Sequence, residues 1–546
     1  MTYSLLTPFL FSLLFNPVNA PAKEPADLIL YHGVVHTLDE RAPLAEAIAV
    51  RNGKILAVGS SGDIRDRFET LRTLDLSGKH VYPGFIDAHC HFVGFAEGLR
   101  YVDLTGSRSF DEVLDRLQKA WDPAEPGWLV GRGWDQNLWK EKVFPDNVKL
   151  NEQFPATPVM LIRIDGHVVL ANQTALNLAA ITGTRGFGEG QVGSKNGRLT
   201  GILSETAADA MRSAVPHVKG ETLASLLDRA QQLCFAAGLT LVCDAGLEYP
   251  QVMELDSLQN TGRLKMQVYA MLIPGTENFR KLVEKGPWLK ERLFVRSLKI
   301  YADGSLGSRT ARLKQPYSDA PGTRGILVTD PDTIRRICRI AIDHGYQVCT
   351  HCIGDEANHL ILNIYGEFLK GKNDLRWRIE HAQVVDPADQ RLFGDFSVVP
   401  SVQATHATSD MRWAGDRLGA VRVKGAYAYR DLMLENGWIA NGTDFPIEDI
   451  SPLKTFYASV ARKDPTGYPA GGYQPENALN REDALRSITL WAARAGFLEQ
   501  RKGSLETGKD ADIVILDQDI LTIPENHLLS VRVLETWVLG EQVFHR

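Results

Sequence analysis

The chain has 546 residues, more than one hydrophobic core usually organises, so its length predicts two or more structural units. Hydrophobic residues make up 44% and charged residues 23%, which is ordinary for a globular enzyme. Lys and Arg total 60 against 67 Asp and Glu, and this mild acidic excess argues against a nucleic-acid or anionic-membrane partner, which would need clustered basic charge.

The first twenty residues differ in texture from the rest of the chain. Residues 5–15 are mostly apolar and Ala20 is a small residue of the kind found at cleavage sites. The run is too short to span a bilayer, so residues 1–20 are interpreted as a secretory signal peptide, which predicts a secreted or periplasmic protein without a stable membrane anchor. No Lys or Arg precedes Lys23, so a buried or disordered leader and a cytoplasmic location stay open.

Short strands joined by turn residues occur at both ends of the chain. They are predicted over residues 27–35, 47–58, 511–516 and 531–544. Because chain termini commonly meet in space, residues 21–80 and 503–546 are predicted to form one small β-sandwich.

The middle of the chain, residues 81–502, alternates apolar strand patterns with helical ones. The strand candidates are residues 81–91, 239–244, 265–272, 294–303, 346–351, 376–381, 397–403 and 438–444. This alternation predicts an α/β fold in which eight parallel strands close as a TIM-like (β/α)8 barrel, with its active site at the C-terminal strand ends. A doubly wound open sheet is the alternative, but the chain lacks its Gly-rich phosphate turn.

About 150 residues separate the first and second strand candidates, far more than a normal βα connection. Residues 101–220 are therefore predicted to form a large inserted subdomain after barrel strand 1. At that place it would project from the catalytic face and act as a lid or substrate wall.

The strongest local signal for chemistry is a His-x-His at the end of the first barrel strand. Positions i and i+2 of a strand face the same side, so His89 and His91 can share one metal ion. His351, His381 and Asp444 end later strand candidates at the same relative place. Each alone is typical of a satisfied polar residue at a strand end, whereas their joint occurrence indicates a metal site.

With these motifs the sequence resembles the metal-dependent amidohydrolase superfamily, and within it the amidohydrolase-3 group that includes N-substituted formamide deformylases. The resemblance covers nearly the whole chain after the leader. Its motifs are residues 84–91, 299–309, 351–355, 378–381, 441–446 and 508–513, with Arg163-Ile-Asp-Gly-His167 in the insertion. It implies the barrel and the two-ended sandwich inferred above.

The resemblance also implies a ligand set and a mechanism. His89, His91, Lys299 and Asp444 would surround one divalent ion; Lys299, His351 and His381 would surround another, with Lys299 carboxylated so that it can ligate a cation. Lys299, His351 and Asp444 would be the catalytic residues, with a metal-bound hydroxide attacking a non-peptide amide C–N bond and Asp444 moving the proton. An unmodified Lys299 paired with Asp303 is the alternative.

Substrate contacts are predicted at four positions. His167 and Arg309 are similar to residues near the active site in this group, while Trp134 and Trp139 flank a polar, Gly-rich segment of the insertion. If the tryptophans form a pocket wall, the small-molecule substrate would carry an apolar or aromatic N-substituent.

Other functions share parts of this pattern. A metal-dependent esterase, lactonase or phosphotriesterase would use the same ligands, and a non-catalytic barrel scaffold would be expected to have lost one of them. A serine hydrolase is disfavoured because the Gly-x-Ser-x-Gly elbow is missing from the sequence. Zinc is the expected ion, one or two per chain, although Mn, Co or Ni suit the same ligands. A homodimer is the default assembly.

Overall fold

A computed structural model describes residues 22–124, 127–184, 186–187, 191–216 and 218–546. The predicted signal peptide lies outside these described residues. Within them, each helix is too short or too polar to cross a membrane.

Strands from the two ends of the chain share one sheet. A six-stranded sheet has the order β27-β26-β25-β9-β3-β4, and a four-stranded sheet has the order β6-β5-β2-β8. Apolar side chains of both sheets, including Leu30, Ile48, Ile513 and Trp537, pack in a common core. The elements are β1 (Glu24–Pro25), β2 (Leu28–Tyr31), β3 (Val34–His36), β4 (Leu44–Ala45), β5 (Ala47–Arg51), β6 (Lys54–Gly59), α1 (Ser61–Arg67), β7 (Phe68–Glu69), β8 (Thr73–Asp75), β9 (His80–Pro83), β25 (Ile513–Leu516), β26 (Val533–Val538) and β27 (Glu541–His545).

Eight parallel strands form a nearly closed barrel, as the sequence predicted. They follow one another in the order β10 (Phe85–Cys90), β17 (Leu239–Leu247), β18 (Gln267–Leu272), β20 (Leu293–Tyr301), β21 (Gln347–Cys352), β22 (Arg378–His381), β23 (Val399–Val402) and β24 (Ala440–Asn441), with β19 (Trp288–Leu289) beside β20. The last and first strands meet where the Asp444 amide donates to the His89 carbonyl at 2.8 Å.

Helices surround the barrel because the strands, buried on both faces, need apolar cover outside. They are α2 (Phe92–Gly98), α7 (Gly220–Ala236), α8 (Tyr249–Asn260), α9 (Thr276–Lys281), α10 (Pro331–His344), α11 (Asp355–Leu369), α12 (Arg391–Phe396), α13 (Ala404–Asp410), α14 (Ala414–Arg422), α15 (Tyr429–Asn436), α16 (Pro452–Ala461), α17 (Arg481–Ser487) and α18 (Leu490–Ala495). Helix α10 has both ends capped: Asp330 caps its N-terminus, and Gly345, with φ of 73°, ends it.

The long connection between β10 and β17 carries a sheet of its own. The elements are β11 (Val102–Asp103), α3 (Phe110–Ala120), β12 (Leu129–Trp134), α4 (Val148–Gln153), β13 (Val159–Arg163), β14 (Val168–Ala171), α5 (Gln173–Leu178), β15 (Val192–Lys195), β16 (Arg198–Ser204) and α6 (Glu205–Ala214). The strands pair in the order β11-β12-β13-β14-β16-β15. This inserted subdomain stands over the C-terminal ends of the barrel strands.

Candidate metal centre

The six residues predicted as metal ligands come together at the C-terminal ends of the barrel strands. Five of them are buried, and the His91 side chain is 27% exposed at the mouth. They are His89 in β10, His91 just beyond β10, Lys299 in β20, His351 in β21, His381 at the end of β22, and Asp444 just beyond β24.

Asp444 is central to this group. Its Oδ1 lies 3.2 Å from His91 Nε2 and 3.6 Å from His89 Nε2, and these three side chains form one of the groupings able to hold an ion. Oδ1 is buried and accepts no well-formed hydrogen bond. Burial opposes ionisation, yet the imidazoles of His406 and His91 hold the pKa of Asp444 well below its ordinary range. An orphaned, ionised oxygen beside two imidazole nitrogens fits a divalent cation.

Buried partners orient the histidines. Glu380 Oε2 lies 2.5 Å from His89 Nδ1, and Glu380 is itself paired with Arg378 at 2.6 Å. Gln403 Oε1 lies 2.6 Å from His381 Nδ1. Because each Nδ1 is engaged, each Nε2 is left to face the shared space, as is usual for ligating histidines.

The histidines are held in the neutral, metal-binding form. Burial, with the neighbouring charge of Lys299, lowers the pKa of His89 to about 4. Burial also lowers the pKa of His351 and of His381 well below the ordinary value. The ring centroids of these two histidines are 4.6 Å apart. A neutral imidazole has a free lone pair for a cation.

Lys299 lies within the cluster rather than against Asp303. Its Nζ is 3.4 Å from His89 Nε2 and 4.5 Å from the ring centroid of Tyr301. Asp303 instead accepts backbone N–H groups of Arg312, Ile353 and Gly354. The alternative of an unmodified Lys299–Asp303 pair is therefore not the arrangement found.

His406 is a neighbour that the sequence interpretation missed. Its Nε2 is 3.2 Å from Asp444 Oδ2 and its Nδ1 is 3.1 Å from Glu448 Oε1. Burial opposes protonation, but the two carboxylates raise the pKa of His406 to about 10. His381, His406 and Asp444 form a second grouping of ligand type. The sequence could have indicated His406 by its position four residues after β23. The end of that strand was the one among the later barrel strands for which no metal ligand was predicted.

A cavity of about 1030 Å³ opens above the cluster. Residues of the inserted subdomain, including Asp165 and His167, line one side of this cavity. Asp165 connects the inserted subdomain to the loop after β20, because its carboxylate accepts hydrogen bonds from Ser305 at 2.6 Å and Ser308 at 2.5 Å. Arg163 donates a hydrogen bond to the same carboxylate at 2.6 Å. His167 lines the same cavity, and Glu205, 2.9 Å away, raises its pKa to about 9 against the effect of burial.

The tryptophans expected in the pocket are elsewhere. Trp134 and Trp139 are buried in the core of the inserted subdomain, with ring centroids 5.9 Å apart and indole N–H groups donating to the backbone carbonyls of Leu161 and Ser107. The prediction that they line the pocket is therefore wrong, because they are the apolar cover of that subdomain's own sheet. Trp413, before α14, is the tryptophan in the cavity wall.

Arg309 also lies away from the cavity floor. Its guanidinium donates to Asp319 at 2.8 and 3.1 Å, and both line a smaller depression next to the main cavity. Since Asp319 already satisfies its charge, the expectation that Arg309 holds substrate is corrected to a structural ion pair.

The fold and this cluster define a metal-dependent hydrolase built on a barrel. Residues 72–544 match the Amidohydrolase family, and the chain belongs to that family. It is similar to Protein LONG AFTER FAR-RED 3 of Arabidopsis thaliana, with 33% identity over 96% of this chain and 92% of that protein. It is 26% identical to the N-substituted formamide deformylase of Arthrobacter pascens, over 95% of this chain and 98% of that enzyme.

A solved structure gives the same fold. The uncharacterized metal-dependent hydrolase from Pyrococcus horikoshii superposes with a TM-score of 0.75 at 30% identity, over 92% of this chain and 99% of that one. The amidohydrolase family and this neighbour together make a divalent metal the cofactor of the chain.

Proposed function

We propose that the chain hydrolyses the C–N bond of an N-substituted formamide or a closely related small amide. The observation that carries this proposal is the convergence of His89, His91, His351, His381, Lys299 and Asp444 beneath one cavity, with the buried Asp444 Oδ1 lacking a hydrogen-bond partner. Similarity to a deformylase over nearly the whole chain supports the substrate class.

Zinc is the ion we propose, with Lys299 carboxylated so that an anion replaces its ammonium beside His89. A divalent ion held by this cluster supplies Lewis acidity towards a water molecule and a substrate carbonyl. Asp444 accepts a proton from the attacking water and delivers it to the leaving nitrogen. One C–O bond forms and one C–N bond breaks, so the products are formate and an amine.

The cavity wall supports a substrate with a bulky apolar group on nitrogen. Phe95, Leu306, Trp413 and Ile450 line it above the cluster, and its volume far exceeds that of a formyl group. His167, protonated near neutral pH, lines the same cavity, and we assign it the role of donating a hydrogen bond to the substrate carbonyl oxygen.

Metal analysis combined with an activity assay tests the proposal. The purified protein is analysed by plasma mass spectrometry, and formate release from an N-substituted formamide is followed before and after chelation. We expect close to two metal equivalents in addition to any ion held outside the barrel, loss of activity on chelation and recovery with zinc. Metal-replete protein that leaves formamides intact, but cleaves esters, lactones or phosphotriesters, would reject the substrate class while keeping the hydrolase.

A further inference from the structure

A second histidine–carboxylate cluster lies in the sandwich, outside the barrel. His36 ends β3, His80 begins β9, and Asp519 follows β25 by three residues. Strands β3 and β9 are parallel, with Val34 opposite His80, so His36 and His80 project from the same face of the sheet. Since β25 pairs with the other edge of β9, the loop carrying Asp519 reaches the same face.

The ligand atoms of this trio are close together, and the two imidazole nitrogens among them are unsatisfied. One atom from each of His36, His80 and Asp519 lies within 4.8 Å of the others. His36 Nε2 and His80 Nδ1 are both buried without a hydrogen-bond partner. His36 Nε2 is 3.6 Å from Asp519 Oδ1, which is too long for a hydrogen bond. Two ligands of one tetrahedral zinc ion, each at about 2.1 Å, are about 3.4 Å apart.

Neighbouring groups hold the trio in position. The Tyr82 ring stacks on His36 with centroids 4.4 Å apart and planes 3° from parallel, and the Tyr82 hydroxyl donates to Asp519 Oδ1 at 2.7 Å. Leu521 N–H and the Thr522 hydroxyl donate to the same carboxylate at 2.9 Å. A stacked ring and a carboxylate held by three donors lose little freedom when they bind a ligand.

The charge states suit a cation. Burial lowers the pKa of His36, so its imidazole is neutral and has a lone pair to offer. Burial opposes ionisation of Asp519, yet the donors around it, Tyr82 first, keep its pKa below the ordinary value. Two imidazoles and one carboxylate are the ligand types of zinc and its first-row neighbours.

We propose that His36, His80 and Asp519 form a second, structural divalent-metal site, with a water molecule as the fourth ligand. The site joins a strand near residue 36 to a loop near residue 519, so a bound ion cross-links parts of the sandwich that are far apart in sequence. It also anchors β9, which leads through Pro83 into β10 and the His89 end of the barrel. Its role is to stabilise the sandwich rather than to take part in turnover.

The test counts metal equivalents in the full chain. Wild type, His36→Gln and His80→Gln are chelated, reconstituted with excess Zn²⁺, desalted and analysed by plasma mass spectrometry. His32→Gln is the matched control, because His32 is an exposed sandwich histidine paired with Asp75. We expect each cluster variant to bind one equivalent fewer than wild type and than the control, and to keep its hydrolytic rate.

A second readout separates lost binding from lost folding. When both proteins are loaded with Co²⁺, the visible absorption spectrum of wild type minus that of His36→Gln should show a band with the intensity of tetrahedral Co²⁺. Added Zn²⁺ should also raise the melting temperature of wild type more than that of the variant. If either variant fails to fold, the other supplies the comparison. Equal metal content in wild type and the folded cluster variants would overturn the proposal, whatever substrate the barrel hydrolyses.

Discussion

Replacing Asp444 with Asn removes the basic oxygen at the centre of the barrel site while keeping the side-chain volume. Oδ1 is 3.2 Å from His91 Nε2 and 3.6 Å from His89 Nε2, while Oδ2 is 3.2 Å from His406 Nε2. An amide presents one neutral oxygen and an NH2 group here, so it can neither accept a proton from water nor offer an anionic ligand.

The expected loss can be scaled from these contacts. A positioned general acid–base contributes about 10²–10⁴-fold to the rate, so kcat should fall by that factor, or about 3–5 kcal/mol in activation free energy. His406 provides an independent signature. Its pKa of about 10 depends on Asp444 and Glu448, so removing one carboxylate should move that pKa towards its ordinary value of 6.5.

The assay is formate release at saturating substrate, together with metal content, the thermal melting curve and an NMR titration of His406. Asp449→Asn is the matched control, since Asp449 also lines the cavity but is half exposed and paired with Lys454. A folded Asp444→Asn protein that keeps its metal and turns over within about threefold of wild type would refute the role given to Asp444.

Three further perturbations follow from the site. Lys299→Ala should abolish turnover, and chelated wild type should regain activity faster when bicarbonate accompanies zinc; recovery that ignores bicarbonate would argue against carboxylation. Trp413→Ala should raise KM for aryl-substituted formamides about tenfold, since a buried aromatic contact contributes about 1.4 kcal/mol or more. Trp134→Ala should instead lower the free energy of unfolding, measured with denaturant, by about 3–5 kcal/mol. The raised pKa of His167 contributes stability that is fully present below pH 6.5 and is lost as the pH rises through about 9. The free energy of unfolding in urea should therefore fall by roughly 3 kcal/mol across that range. This decline should be missing in His167→Asn.

Much of the site was predictable because parallel strands bring their C-terminal ends to one edge. A polar residue at the end of an apolar strand pattern, such as His351 or Asp444, therefore indicates a site residue without knowledge of the tertiary structure. Strand patterns located the eight barrel strands, although the first candidate, residues 81–91, also covered most of β9, which belongs to the sandwich sheet. The spacing of the strands located the long insertion. These features depend on local pattern and chain order, which a sequence displays directly.

The remaining features depend on local geometry that pattern does not record. His381 adopts a φ of 72°, so the alternation of side chains breaks and both Glu380 and His381 reach His89. His406 lies on α13, four residues beyond β23, so a rule that selects only the last residue of a strand passes over it. Trp134 looked like a pocket residue because its neighbours are polar, but the face it occupies is fixed by packing within the subdomain.

The sandwich has a consequence for synthesis of the chain on the ribosome. Strand β9 pairs with β3 on one side and with β25 on the other, where Ile513 lies opposite Pro83. The β25 edge of β9 cannot be paired until β25 has been synthesised. At about 5–20 residues per second, those roughly 430 intervening residues take on the order of 20–90 s to emerge. During that time a β9 edge rich in unpaired N–H and C=O groups is open to wrong partners. Released chains that end before residue 513 should therefore depend on chaperones for solubility far more than the full chain.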